Sequence, residues 1–510
     1  MKHRRILSGL AALMLAASLP MSALAREWDI ADGDITIVAD NDGQKVSQGT
    51  ENDISDDNPI IIGNSATNTV SIVAEKDQTA NVTLSGANID GSTKGNAAVS
   101  TTGEGNVSIE LDGDSTLKSG FCHAGLEKNN GGSLTIADED KNGKLTAEGG
   151  GYGAGIGGGY NGTGSDITSS GGEVNATGGA YGAGIGGGWG GSGSDITISG
   201  GEVKATGGAF GAGIGGGYEA GGSDIAISGG EVNATGGGAY GAGIGGGWGG
   251  SGSDITISGG EVKATGGSYG AGIGGGYSGD GSDITVSGGE VKATGGVNSA
   301  GIGGGLQGKG KDITVSGDAK LKVQGGVESW TGGAGAGIGN GGSKADGNQI
   351  PGAEVEPDTS DLTTGWIEYY APGADMDKDA PSQTIVGTYI PPQPAREAAA
   401  PAQPTAPLYR VTDGDGKDVS YETTWRDGVL TVTVEADRAV LTGRLSGIAS
   451  LQAQGIERIV FITKGATSEF LTADLLAAAP AMERYALTHD GETVTFTAGE
   501  ADVSGILVKA

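Results

Sequence analysis

A short motif that returns at an almost fixed interval decides what this chain can fold into. Asp-Ile-Thr stands at Asp166, Asp195, Asp224 (with Ala226 in place of threonine), Asp254, Asp283 and Asp312, so the steps are 29, 29, 30, 29 and 29 residues. The 30-residue step carries one extra glycine in Gly236-Gly237-Gly238. A period of roughly 20–50 residues is the signature of a solenoid, in which each unit buries its apolar face only by stacking on its neighbours. Within a unit, Ile196/Ile198 and Val203/Ala205 alternate with Thr197, Ser199, Glu202 and Lys204. Period two makes them strands, with isoleucine, valine and alanine inward and the polar residues outward. Each unit holds three short extended pieces separated by glycine corners, none long enough for a helix. The expectation is an all-β, right-handed parallel β-helix whose coils rise by about 4.8 Å.

Composition enters through glycine, 108 of 510 residues. Such a fraction fits collagen or disorder as well, but the glycines come in blocks between β-branched runs and never as a Gly-X-Y triplet. The β-helix is expected over 26–350, regular over 151–326. A divergent unit precedes the regular block (Ala124-Gly125-Leu126, Leu134-Thr135-Ile136, Leu145-Thr146-Ala147). Irregular rungs come earlier still, at Asp34–Val38, Val70–Val73, Val82–Leu84 and Val107–Ile109. Residues 351–390 read as a cap or extension with covering strands at Tyr369-Tyr370 and Tyr389-Ile390, because an uncapped solenoid end exposes strand edges. Prolines 391, 392, 394, 401, 404 and 407 make 391–407 a semi-rigid Pro/Ala linker. Residues 408–510 read as a small α+β domain. A hairpin at Asp427-Gly428 joins Val419–Thr424 to Val429–Glu435, and Leu445, Ile448 and Leu451 mark a short helix. Ile459–Ile462 is a buried strand, 471–478 a second helix, and Asp490-Gly491 a second hairpin.

The chain opens with Lys2, Arg4 and Arg5, continues apolar from Ile6 to Leu19, and reaches Ala23-Leu24-Ala25. That is the pattern of a cleaved signal peptide over 1–25, so an extracellular protein, secreted or associated with the cell surface, is expected. No later stretch has transmembrane length. The formal charge is −32, and loss of those three basic residues with the leader takes the remainder to −35. Nucleic acid is thereby excluded as a partner, since phosphate backbones need a basic footprint. Cys122 is the only cysteine. Stability must therefore come from stacking and hydrogen bonds, without an intrachain disulfide.

Catalysis has little to stand on. No arginine lies between Arg26 and Arg396, and the only histidines after the leader are His123 and His489. The repeats thus lack a recurring general base or an oxyanion partner, and a polysaccharide lyase is the weakest of three functional readings. Binding residues are easier to find. Tyr160, Trp189, Tyr218, Trp248 and Tyr277 recur at one position of a glycine loop. Stacked in a column, they either present rings to the sugars of a polysaccharide or stack on one another and cover the loops. A second column, Tyr152, Tyr181, Phe210, Tyr240 and Tyr269, ends at Asn298 and shares the parity of the inward residues, so it is expected in the core. The six aspartates form a like-charged column and are expected to accept backbone N–H bonds in their turns. Asp138-Glu139-Asp140-Lys141-Asn142-Gly143 has the opening of a calcium loop, with Asp138, Asp140 and Asn142 as ligands, but no flanking helices. An acidic turn is the alternative. Glu202/Lys204, Glu261/Lys263 and Glu290/Lys292 read as a solvated face that fixes register.

Gly-Ala-Gly-Ile-Gly-Gly-Gly followed by Ile-Thr-Ile-Ser-Gly-Gly-Glu-Val-Lys-Ala-Thr-Gly-Gly resembles the glycine-rich β-helix proteins secreted by anaerobic, often gut-associated bacteria. These are often labelled carbohydrate-binding or adhesin-like. The resemblance covers about residues 30–350 and implies a non-catalytic role toward a polysaccharide or a host glycan or glycoprotein. The alternative is a spacer that displays 408–510.

Overall fold

The computed structural model describes residues 25–387, 409–413, 417, 419–426, 428–453, 456–478, 484–491, 493–499 and 501–508. The expected leader apart from Ala25, the linker, the strand at Tyr389-Ile390 and the turn residue Asp427 lie outside them. The chain divides into two units, Met1–Ile390 and Pro391–Ala510.

The first unit is a parallel β-solenoid with three ladders of 13, 11 and 12 strands. In a regular coil the chain contributes Ile185–Gly186, Gly193–Ile198 and Glu202–Thr206, one strand to each face. Like residues stack: Ile185 pairs with Ile156 and Ile214, and Val203 with Val174 and Val232. The alternation read from the sequence holds, since Ile196, Ile198, Val203 and Ala205 are buried. Columns of isoleucine and valine fill the interior, each fully buried side chain contributing on the order of 1.5–3 kcal/mol. One core position breaks the column. Ser169 sits in register between Ile136 and Ile198, and its hydroxyl is buried without a partner.

Two features of the repeat follow from backbone geometry. A Cβ on Gly217 would stand 1.9 Å from the carbonyl oxygen of Gly188 in the preceding coil, so the loop glycines are set by close approach between coils. The aspartates Asp166, Asp195, Asp224, Asp254, Asp283 and Asp312 all have φ between 52° and 54°. Each falls between paired neighbours without a strand partner of its own, as Asp195 does between Ser194 and Ile196. This corrects the expectation for that column. The carboxylates are exposed and accept no hydrogen bond from the described residues; the position needs a residue that tolerates left-handed backbone, which aspartate does.

The ends depart from the repeat. At the start, the first strand of the Ile-Gly ladder, Ile35–Asp40, is covered by antiparallel Gly43–Gln48 and Glu51–Ser55. There the indole of buried Trp28 donates to Asp56 at 2.8 Å. At the other end Trp366–Tyr370 pairs parallel with Lys320–Gln324, and antiparallel Gln383–Val386 closes the ladder.

The second unit has a five-stranded sheet ordered Tyr409–Thr412, Arg438–Arg444, Arg484–Asp490, Thr493–Ala498, Ala501–Asp502. A four-stranded sheet is ordered Glu422–Arg426, Val429–Thr433, Arg458–Ile462, Thr467–Leu471. Helices Leu445–Ala453 and Thr472–Ala478 join strands, and Ile448, Phe461, Phe470, Leu475, Leu487 and Phe496 form the core. Both hairpins and both helices stand where the sequence put them.

Candidate functional site: an aromatic belt

The column Tyr160, Trp189, Tyr218, Trp248, Tyr277 lies on loops that leave the short Ile-Gly strands. It does not stand alone. The second column, expected in the core, is only half-buried and packs beside the first. That corrects the parity argument: strand alternation does not extend through the glycine turn between Tyr181 and Ile185. With Phe121 the two columns form a continuous belt of rings along the solenoid. Backbone bonds fix their spacing, because the first-column N–H groups after Tyr160 donate to a second-column carbonyl one coil earlier, while Tyr160 donates to Cys122. Trp189 donates to Tyr152, Tyr218 to Tyr181, Trp248 to Phe210 and Tyr277 to Tyr240.

In mid-belt the rings within a column are near parallel: Tyr218 and Trp248 have centroids 4.8 Å apart at 6°, and Tyr181 and Phe210 4.9 Å at 8°. Toward Tyr160 they tilt, by 57° between Trp189 and Tyr218 and 66° between Tyr160 and Trp189. Between columns most pairs meet edge to face, as Phe210 and Tyr218 do at 5.4 Å and 85°, whereas Tyr181 and Trp189 stack at 4.4 Å and 29°. Both geometries suit the ring quadrupole, and each pair contributes about 0.5–1.5 kcal/mol beyond burial. Mid-belt faces are therefore occupied by neighbouring rings, leaving edges and hydroxyls toward solvent. Partial burial, then the neighbouring Glu219, holds the Tyr218 hydroxyl above the usual tyrosine range.

The two ends of the belt differ. At the C-terminal end Leu306 and Asn298 replace the rings and are buried. The Asn298 amide donates to the carbonyls of Gly332 and Gly333 at 2.6 and 2.8 Å, and its oxygen accepts from Ser329 and Thr331 at 2.6 and 2.8 Å, so a loop closes that end. At the N-terminal end Tyr160 is 51% and Phe121 61% exposed. The preceding coil runs from Leu126 to Leu134 without an aromatic loop, which leaves a step beneath Tyr160.

Polar side chains fill the step. His123 Nδ1 lies 2.7 Å from Glu127 Oε2, which also accepts from the Ala124 N–H at 3.0 Å, while Asn129 donates to Glu127 Oε1 at 2.8 Å. Lys128 is buried and donates to the Asn130 carbonyl at 2.9 Å. Burial pushes its ammonium pKa down, and the charge of Asp166 opposes that shift. Sequence reading missed this cluster; its signal was the absence of three residues from the coil before the first aromatic loop.

The calcium-loop residues fold onto their own backbone. Asp138 accepts from the Lys141 N–H at 2.7 Å and the Gly143 N–H at 2.9 Å. Asp140 accepts from the Asn142 side-chain amide at 2.7 Å, and the Asn142 oxygen accepts from the Gly113 N–H at 3.3 Å. Asp138, Asp140 and Asn142 thus share a turn in which carboxylate and amide oxygens accept local N–H bonds. Among the described residues no three His, Cys, Asp or Glu side chains gather as a metal group.

Among the described residues no helix is long and apolar enough to cross a membrane. No curated protein and no solved structure matches the chain significantly. Six segments match the family described as Beta helix repeat: 141–160, 167–189, 196–218, 225–248, 255–277 and 284–306. Each of the last five runs from an inward isoleucine of the Asp-Ile-Thr strand to the first-column residue of the next coil, so the matched unit contains both loop columns. Over these coils the chain matches the β-helix repeat family.

Proposed function

We propose that the chain is a secreted, non-catalytic glycan-binding protein of adhesin type, and that the aromatic belt contacts a polysaccharide or host glycan. One observation carries this reading: the belt is closed at one end by the loop around Ser329–Gly333 but open at the other, where Phe121 and Tyr160 expose aromatic surface beside His123, Glu127 and Asn129. Aromatic surface bordered by hydrogen-bonding groups suits a sugar, which has apolar C–H faces and a polar rim. The stacking narrows the site, because the mid-belt rings spend their faces on each other and sugar stacking falls to the open end. Calcium is not required by this arrangement.

The test is a polysaccharide and mucin-glycan array probed with the full chain, with and without Ca²⁺, followed by tryptophan fluorescence titration of each hit. Saturable binding that changes tryptophan emission is expected, since Trp189 lies 6.0 Å from Tyr160 of the open end. A broad panel without a single hit would remove the proposal. A second reading makes the solenoid a spacer for the second unit, favoured by a cavity of about 610 Å³ in that unit.

A further inference from the structure

The described cavity of about 610 Å³ lies in the second unit, lined by Arg410, Arg444, Arg484, Tyr485 and the first turn of helix Leu445–Ala453. This is unusual in so acidic a chain: six of its ten arginines lie after residue 407, and three of those line one cavity. Arg444 and Arg484 are direct cross-strand partners. Like charges in that position repel. Elsewhere in the unit arginines have acids: Arg438 lies 3.5 Å from Asp490 and Arg458 2.7 Å from Glu469. Neither Arg444 nor Arg484 has a carboxylate partner among the described residues. Ser446 and Gly447 add the N-terminal turn of a nine-residue helix, where free N–H groups favour an anion.

Strand register gathers the lining on one face of the five-stranded sheet: Arg410 pairs with Thr442, Thr442 with Ala486, Ala486 with Thr497, and Arg444 with Arg484. Size argues for more than a simple ion: the volume falls within the usual range of small-ligand sites, roughly 300–1,000 Å³, and far exceeds what sulfate or phosphate fills. The rest of the lining, Thr442, Ser450, Ala486 and Thr497, mixes hydroxyls with small apolar groups.

We propose that this cavity binds an acidic sugar unit, with its carboxylate or sulfate between Arg444 and Arg484. Arginine suits that group because its planar fork meets such an anion with two parallel hydrogen bonds. The site is separate from the belt and stands or falls without it.

Calorimetric titration of the full chain with galacturonate, N-acetylneuraminate and galactose 6-sulfate tests this, beside galactose, inorganic sulfate and a short peptide with a free C-terminal carboxylate. Acidic sugars should bind and galactose should not. The double variant Arg444→Gln/Arg484→Gln should weaken binding by at least about tenfold, while its melting temperature holds or rises because repulsion is relieved. Absence of binding by every acidic sugar, or equal binding by the double variant, would overturn the proposal. So would inorganic sulfate or the peptide binding as tightly as the sugars.

Discussion

The regular coils and the second unit solve the same problem, burying enough apolar surface, in opposite ways. The solenoid repeats one answer: Ile185 on Ile156, Val203 on Val174, most inward residues over their own kind. The second unit has no repeat and gathers Phe461, Phe470 and Phe496 into a single core. Repetition makes a surface uniform, so the solenoid's candidate site lies where the pattern fails, at the step beneath Tyr160. The second unit can shape a cavity anywhere, and it places one at the end of a sheet.

The comparison is broken most easily by attacking the packing between coils. Gly217→Ala puts a Cβ 1.9 Å from a backbone oxygen that has no room to move, whereas a Cβ on Gly238, the extra glycine of the 30-residue coil, meets nothing within 4 Å. We expect the first change to cost about 3 kcal/mol or more and the second to stay within about 0.5 kcal/mol, read as denaturant midpoints. Equal effects would mean that the glycines serve flexibility and not close approach.

Acid should separate the two units. His489 is buried between Thr463 and Ser468, its ring nitrogens 3.0 and 2.8 Å from their hydroxyls, and burial pushes its pKa down to about 4. Between that value and the unfolded value near 6.5, the unfolded state binds a proton that the folded state does not. Stability of the second unit should therefore fall as pH drops through this window, by about 3 kcal/mol in all. His489→Gln should flatten the dependence in a pH series of melting curves, and an unchanged slope would contradict the assignment.

Two smaller changes sharpen the reading of the repeat. Ser169→Val restores the apolar column between Ile136 and Ile198 and removes an unmatched hydroxyl, so about 1 kcal/mol of added stability is expected. Loss of stability would show that the column is already full at that coil. At Asp195, with φ 52°, asparagine should be neutral and valine should cost about 1–2 kcal/mol. Equal effects would return the column to side-chain chemistry.

Much of this was legible beforehand. Period gave the coils, and parity gave which of Ile196, Thr197 and Ile198 point inward, because a strand alternates strictly. Parity misled at Tyr181, where glycines intervene and no alternation survives, and it could not show that the two aromatic columns interlock. The aspartate column was visible as a pattern but not as a backbone requirement, since φ leaves no mark on residue identity beyond a preference. In the second unit the Asp490-Gly491 turn and the helix around Ile448 were readable from local chemistry. The pairing of Arg444 with Arg484 was not, because it depends on which strands the sheet makes neighbours.

Glycan binding is proposed to run through the open end of the belt. Affinity of Phe121→Ala/Tyr160→Ala for a glycan that binds the full chain, measured beside Trp248→Ala from the stacked interior, tests it most directly. The account predicts at least about a tenfold loss with little change in melting temperature for the first variant, and lower stability with nearly intact binding for the second. Full affinity in the Phe121→Ala/Tyr160→Ala protein would contradict it.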